Sequence, residues 1–160
     1  MQASVKRLLE QVSRRGSWVG GGSVAAFSAA LAAALLQKLV VRPQTAHRLR
    51  GIRTECLRLV EQDAVLFARV IQATRRNNRR AVARSLKEAT EVPCRVFERA
   101  QAIQAACRAA QRVVKPRFQS DLLCAMAVAM AAGQSADVLI QTNLAWLDDR
   151  AYTKRIRRRL

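Results

Sequence analysis

The chain has 160 residues, the length of one domain, and can bury roughly 70% of the surface its unfolded form exposes. Twenty-nine Ala against 4% aromatic residues, 6 Gly and 3 Pro exclude an all-β protein, and 51% apolar residues exclude a disordered one. The 29 basic and 11 acidic residues leave a net charge of +18, which implies an anionic partner or surroundings without saying which.

In chain order, Val5, Leu8, Leu9 and Val12 fall at helical spacing and predict a short amphipathic helix over Gln2–Ser13. Gly16–Gly22 reads as a loop. Ser23 to about Val41 reads as a helix apolar on all sides, hence buried, and Pro43 ends it. A long helix from Thr45 to Thr74 carries the stripe Leu49, Ile52, Cys56, Leu59, Asp63, Leu66 and Val70, whose alternating steps of three and four keep one seam inward. A turn at Arg75–Arg80 precedes a helix to Thr90, which Pro93 kinks or restarts. Val96, Phe97, Ile103, Cys107, Ala110 and Val114 then face inward up to the break at Pro116. Two further helices, Ser120–Ala132 and Ser135–Leu147, complete the core. The basic segment Arg150–Leu160 is predicted to fray as a tail behind a domain of residues 1–149. The whole reads as all-α, with about six to seven helices.

Cys56, Cys94, Cys107 and Cys124 form no CxxC pair, and a lone His47, read as a surface residue, completes no zinc set. All four are read as reduced, small core residues, and no metal is expected. The strictly apolar runs Val24–Leu36 and Leu122–Ala132 are short for a membrane span. Arg14-Arg15 before the uncharged segment Gly16–Gln37 has the look of an export signal, but its removal would delete one of the best helices. The chain is therefore read as cytoplasmic, without a membrane span.

Four places hold residues that packing alone does not require. Gly20, Gly21 and Gly22 allow positive φ and close approach of a ligand, with Ser23 as helix cap and anion-attracting amides behind it. No Walker lysine follows and no strand precedes them. Asp63 interrupts the apolar seam of the long helix, so it must be paired, protonated or beside a cavity. Ser120 and Asp121 read as a cap and a dipole-complementing acid, or as a carboxylate at the mouth of the core. Asn143, aligned with Leu139, Ile140, Trp146 and Leu147, is an amide on an inward face, and Asp137 is similarly placed.

These features, in this order, resemble the cyclodeaminase part of the formiminotransferase-cyclodeaminase family and its single-domain methenyltetrahydrofolate cyclohydrolase relatives. The family's Pro-Gly-Gly-Gly-Ser loop corresponds to Val19-Gly20-Gly21-Gly22-Ser23, and its acidic-Asp-Ala stretch to Glu61-Gln62-Asp63-Ala64 followed by Phe67. Ala89–Pro93, Ser120-Asp121 and Asn143-Leu144 continue the match. Val19 stands where the family has Pro, Leu39–Gln44 lacks its usual Asn-Leu-Thr stretch, and Leu139 replaces a second Asn.

The resemblance implies an orthogonal helical bundle, a homodimer, and a reduced-folate substrate, possibly polyglutamylated, with no separate cofactor. It implies closure of the ring between N5 and N10 with loss of ammonia, or hydration of the same one-carbon bridge. Asp121 and Asp63 are then the expected proton-moving residues, with Gly20, Gly21, Gly22, Ser23, Ser120 and Asn143 at the substrate. Two other readings stay open. One is a degenerate helical dimer serving as a binding or assembly protein; the other is a nucleic-acid binder using Arg75–Arg80 and Lys154–Arg159, though no aromatic stacking platform accompanies them.

Overall fold

A computed structural model describes residues 2–160 and contains six α-helices and no strand among them. They are α1 (Gln2–Ser13), α2 (Gly21–Gln37), α3 (Pro43–Arg75), α4 (Arg79–Ala110), α5 (Gln119–Leu147) and α6 (Arg150–Arg159). Four of them form the bundle, each running opposite to its neighbours. Gly21 at the start of α2 faces Leu139 late in α5, and Lys38 just past its end meets Asp121 at the start of α5. Arg69–Glu88 and Glu55–Arg99 fix α3 against α4 in the same antiparallel sense.

Alanine makes this close packing possible. Ala25, Ala26, Ala29, Ala30, Ala32 and Ala33 of α2 and Ala125, Ala129, Ala132 and Ala136 of α5 are all buried in one core. The α3 seam is as its spacing predicts: Leu49, Ile52, Cys56, Leu59, Leu66 and Val70 are buried, and Asp63 among them is half-buried.

Several boundaries differ from the sequence reading. Helix α4 runs unbroken through the buried Pro93, because tertiary packing outweighs the one backbone bond that proline removes. The two expected helices after Ser120 are one, α5. Its Gly133 is buried where a Cβ would lie 3.4 Å from the Ala100 methyl, so this glycine serves close packing on α4 rather than a break. The expected frayed tail is the ordered helix α6. Asp149 accepts the Tyr152 backbone N–H as its cap, and the Tyr152 hydroxyl donates to the Lys87 carbonyl at 3.1 Å. Tyr152 and Ile156 are buried against Cys94, Ile140 and Leu144, while Arg159 ties the far end to Glu91 and Glu98.

Three of the cysteines are buried, and burial pushes their thiols up, Cys56 to about 12 and Cys94 and Cys107 to about 11. Cys124 is exposed, contrary to expectation, because it lies on the outer face of α5. Pro116–Leu147 is, by length and composition alone, apolar enough to cross a membrane, with mean hydropathy reaching 1.6. Strictly uninterrupted apolar runs understate this helix, since Gly133, Gln134 and Ser135 divide them. In the structure it packs between α2 and α4, leaving an apolar outer stripe.

Candidate functional site

The glycine-rich segment builds its site through space rather than unusual dihedrals. Gly20 caps α2 in an extended conformation, φ −133°, and of the glycines only Gly16 has positive φ, at 77°. The expectation of positive φ at Gly20–Gly22 therefore does not hold. What glycine provides is room: a Cβ on Gly22 would overlap the carboxylate of Asp63. Nor is Ser23 the cap. It sits in the first turn of α2, fully buried, and its side chain points across to α3.

The Ser23 hydroxyl lies 2.9 Å from Asp63 Oδ2 and 3.0 Å from the Val60 carbonyl oxygen, and its proton can serve one of them fully. With Asp63 ionised, Ser23 donates to it. With Asp63 protonated, the carboxyl can donate to Ser23 Oγ while Ser23 donates to Val60, satisfying both contacts at once. Desolvation raises the Asp63 pKa above the ordinary carboxylate value, while bonds from the Ser23 hydroxyl and backbone amide pull the other way. The net direction is upward. A half-buried acid facing the first-turn amides of a helix is thus poised to hold or release a proton near the entrance loop.

Trp18 stands edge-on to Phe67 with ring centroids 6.4 Å apart, pinning this loop to α3 one turn beyond Asp63. Both rings are partly exposed. The sequence reading passed over Trp18; a lone aromatic just ahead of the glycines was the available cue. A Cβ on Gly21 would lie 3.6 Å from a Leu139 methyl, and half-buried Asn143 follows one turn later on α5, at this same end of the bundle. Trp146, expected inward beside Asn143, is exposed, and Asp137 accepts a bond from Gln141 at the surface. In its C-terminal half the buried line of α5 runs through Ala136, Ile140 and Leu144, and residues off that line turn outward.

Asp121 lies elsewhere. Its carboxylate is 2.7 Å from Lys38 Nζ; the lysine side chain is exposed and the aspartate partly so. Ser120 is exposed and does not cap α5. A 3₁₀ turn, Pro116–Phe118, starts the helix earlier, and Gln119 Nε2 donates to the Gln111 and Val114 carbonyls. Ser23 and Lys38 mark the two ends of α2, so about 22 Å of helix separates the Asp63 site from the Asp121 site. One chain does not bring the two acids together.

Surface clefts of about 610 Å³ and 410 Å³ are lined by neither acid. The larger lies between α3 and α4, and His47, exposed as expected, stands at its edge. No cluster of metal-binding side chains occurs among the described residues.

The formiminotransferase-cyclodeaminase family model matches residues 4–160. The fold is similar to that of formiminotetrahydrofolate cyclodeaminase from Thermotoga maritima, with a TM-score of 0.90 and 21% identity over 97% of this chain and 85% of that one. No curated protein matches the chain.

Proposed function

The chain belongs to the formiminotransferase-cyclodeaminase family, and from that membership we propose that it processes the one-carbon bridge of a tetrahydrofolate derivative by cyclodeamination. The observation that carries this reading is Asp63, half-buried with a raised pKa against Gly22 and Ser23, where a substrate nitrogen could receive its proton. In the reaction, folate N10 attacks the formimino carbon, a C–N10 bond forms, and the bond to the formimino nitrogen breaks. With the formimino group bound as its protonated amidinium, the N10 proton passes to a carboxylate, and the departing NH2 gains one proton to leave as ammonia. Asp63 is the donor to the leaving nitrogen and Asp121 the acceptor from N10. Exposed Trp18 and Phe67 offer the pterin ring an aromatic wall, and Asn143 a hydrogen-bonding amide.

The reading requires two copies. On α2, Val24 and Leu31 are 42% and 51% exposed; on α5, Leu123, Met130 and Val138 are 63%, 45% and 65% exposed. So large an apolar face on adjacent antiparallel helices suits a self-complementary dimer. A two-fold axis through the middle of that face turns the Asp63 end of one copy over the Asp121 end of its partner, assembling both acids in each of two sites. The substrate's carboxylates suit the positive field. The same reading places the protein in the cytoplasm.

The test is an absorbance assay for methenyl-tetrahydrofolate with 5-formimino-tetrahydrofolate as substrate. Product should form well above the buffer rate and depend on both acids. A folded dimer giving the buffer rate would reject the enzyme reading in favour of a degenerate binding protein.

A further inference from the structure

Charge is spread widely over this protein, and two clefts collect it; the smaller, beside α6, also holds Asp148 and Asp149. The cleft of about 610 Å³ between α3 and α4 is lined by Arg50 and Arg58 of α3 and by Arg95 of α4, with His47 at its edge. Residues 50 and 58 are two turns apart on the same face, so their side chains reach into one groove, and Arg95 approaches from the other wall. None of the three arginines has a carboxylate partner among the described residues. The cleft does contain one acid, Glu55, but its two oxygens accept from Arg99 Nε at 2.7 Å and Nη2 at 3.3 Å. Three guanidinium groups therefore face a single cavity with its local carboxylate already engaged.

The remaining lining extends the same chemistry. Thr54 and Gln62 add a hydroxyl and an amide donor, and Gly51 leaves the helix backbone bare, with open space where a Cβ would stand. The volume falls within the range of small-molecule sites, and the like charges lining the groove favour an anion there. Planar guanidinium forks match phosphate oxygens in bidentate fashion, and a phosphate chain supplies several charges in little space.

We infer that the α3–α4 cleft is a binding site for a compact organic or inorganic oligophosphate, held by Arg50, Arg58 and Arg95. The site opens between α3 and α4 and does not depend on the folate reading, whereas Asp63, next to the lining residue Gln62, faces α2. It differs from diffuse attraction to nucleic acid in being local and saturable.

The test is calorimetric titration of the full chain with inorganic tripolyphosphate, in parallel with tri-γ-glutamate and a single-stranded oligonucleotide. Two variants are compared: R50Q/R58Q/R95Q in the cleft, and R75Q/R76Q/R79Q, which removes the same charge at the α3–α4 turn. Circular dichroism establishes that both are folded. The expected result is one tripolyphosphate per chain, weakened about 30-fold or more by the cleft variant and less than about threefold by the turn variant. Equal losses in the two variants, no saturable binding, or tighter binding of tri-γ-glutamate or the oligonucleotide at the cleft would each overturn it.

Discussion

At the N-terminal end of α2 the Asp63 carboxyl is half-buried, touches the Ser23 hydroxyl and fills the space left by the missing side chain of Gly22. At the other end of the same helix, Asp121 is only partly exposed too, but it meets the ammonium of Lys38. The side chain is chemically the same in both places, and its surroundings make the difference. Burial lifts the Asp63 pKa, so a proton is held there more readily than on an ordinary aspartate. Asp121 has instead a neighbouring ammonium, 2.7 Å away, and a partly exposed side chain. Two acids placed in such unlike environments can divide the work of giving and taking a proton.

The contrast can be broken most severely at Gly22. Replacing it with Ala should push the Asp63 carboxylate aside, costing about 1–3 kcal/mol and lowering the melting temperature by about 2–4 °C per kcal/mol. Cyclodeaminase turnover should vanish with it. Retention of both wild-type stability and wild-type rate would mean that the close approach of α2 to Asp63 is unimportant.

Substituting Asn for Asp63 should separate stability from activity. Turnover is expected to fall by about 10²–10⁴-fold, the usual contribution of a positioned acid. Stability at neutral pH should rise, because a neutral amide no longer carries the cost of a partly buried charge. The sign follows from linkage. A carboxyl whose native pKa is raised stabilises the fold below its unfolded value and loses that contribution as pH rises through the native one. Wild-type stability should therefore decline relative to D63N as pH increases above about 4, and then run parallel to it. Wild-type activity should lose its acid-dependent limb at the high-pH side of the same transition. A pH-independent stability difference between the two proteins would argue against a protonated Asp63.

The smallest effect is expected at Lys38. Its pair with Asp121 is exposed, and such pairs contribute about 0–1 kcal/mol. Lys38→Met should leave the melting temperature within a degree or two and reduce turnover by less than about tenfold. A large loss of stability would show that this ion pair is more than a surface contact.

Much of the architecture was legible because helix periodicity and apolar seams act locally. The α3 stripe from Leu49 to Val70 predicted its buried face residue by residue, and Asp63 was conspicuous as its one polar member. Less legible were features set by contacts between distant segments. Pro93 and Gly133 looked like breaks because a sequence does not show the neighbouring helices that stabilise α4 and α5 through those positions. The tail appeared unanchored because its basic residues concealed Tyr152 and Ile156, a turn apart, and because Glu91 and Glu98 lie far back along the chain. Both acids were identifiable individually. Their separation along α2 was not, since inwardness on a helical wheel carries no information about which end of the bundle a residue occupies.

That separation makes subunit complementation the most direct measurement. D63N and D121N proteins, each inactive alone, are unfolded and refolded together in equal amounts and assayed with 5-formimino-tetrahydrofolate. If each site takes Asp63 from one copy and Asp121 from its partner, every mixed dimer has one intact site, and the mixture should recover about a quarter of wild-type activity. Demonstrated subunit exchange with no recovery would contradict a site shared across the two-fold axis.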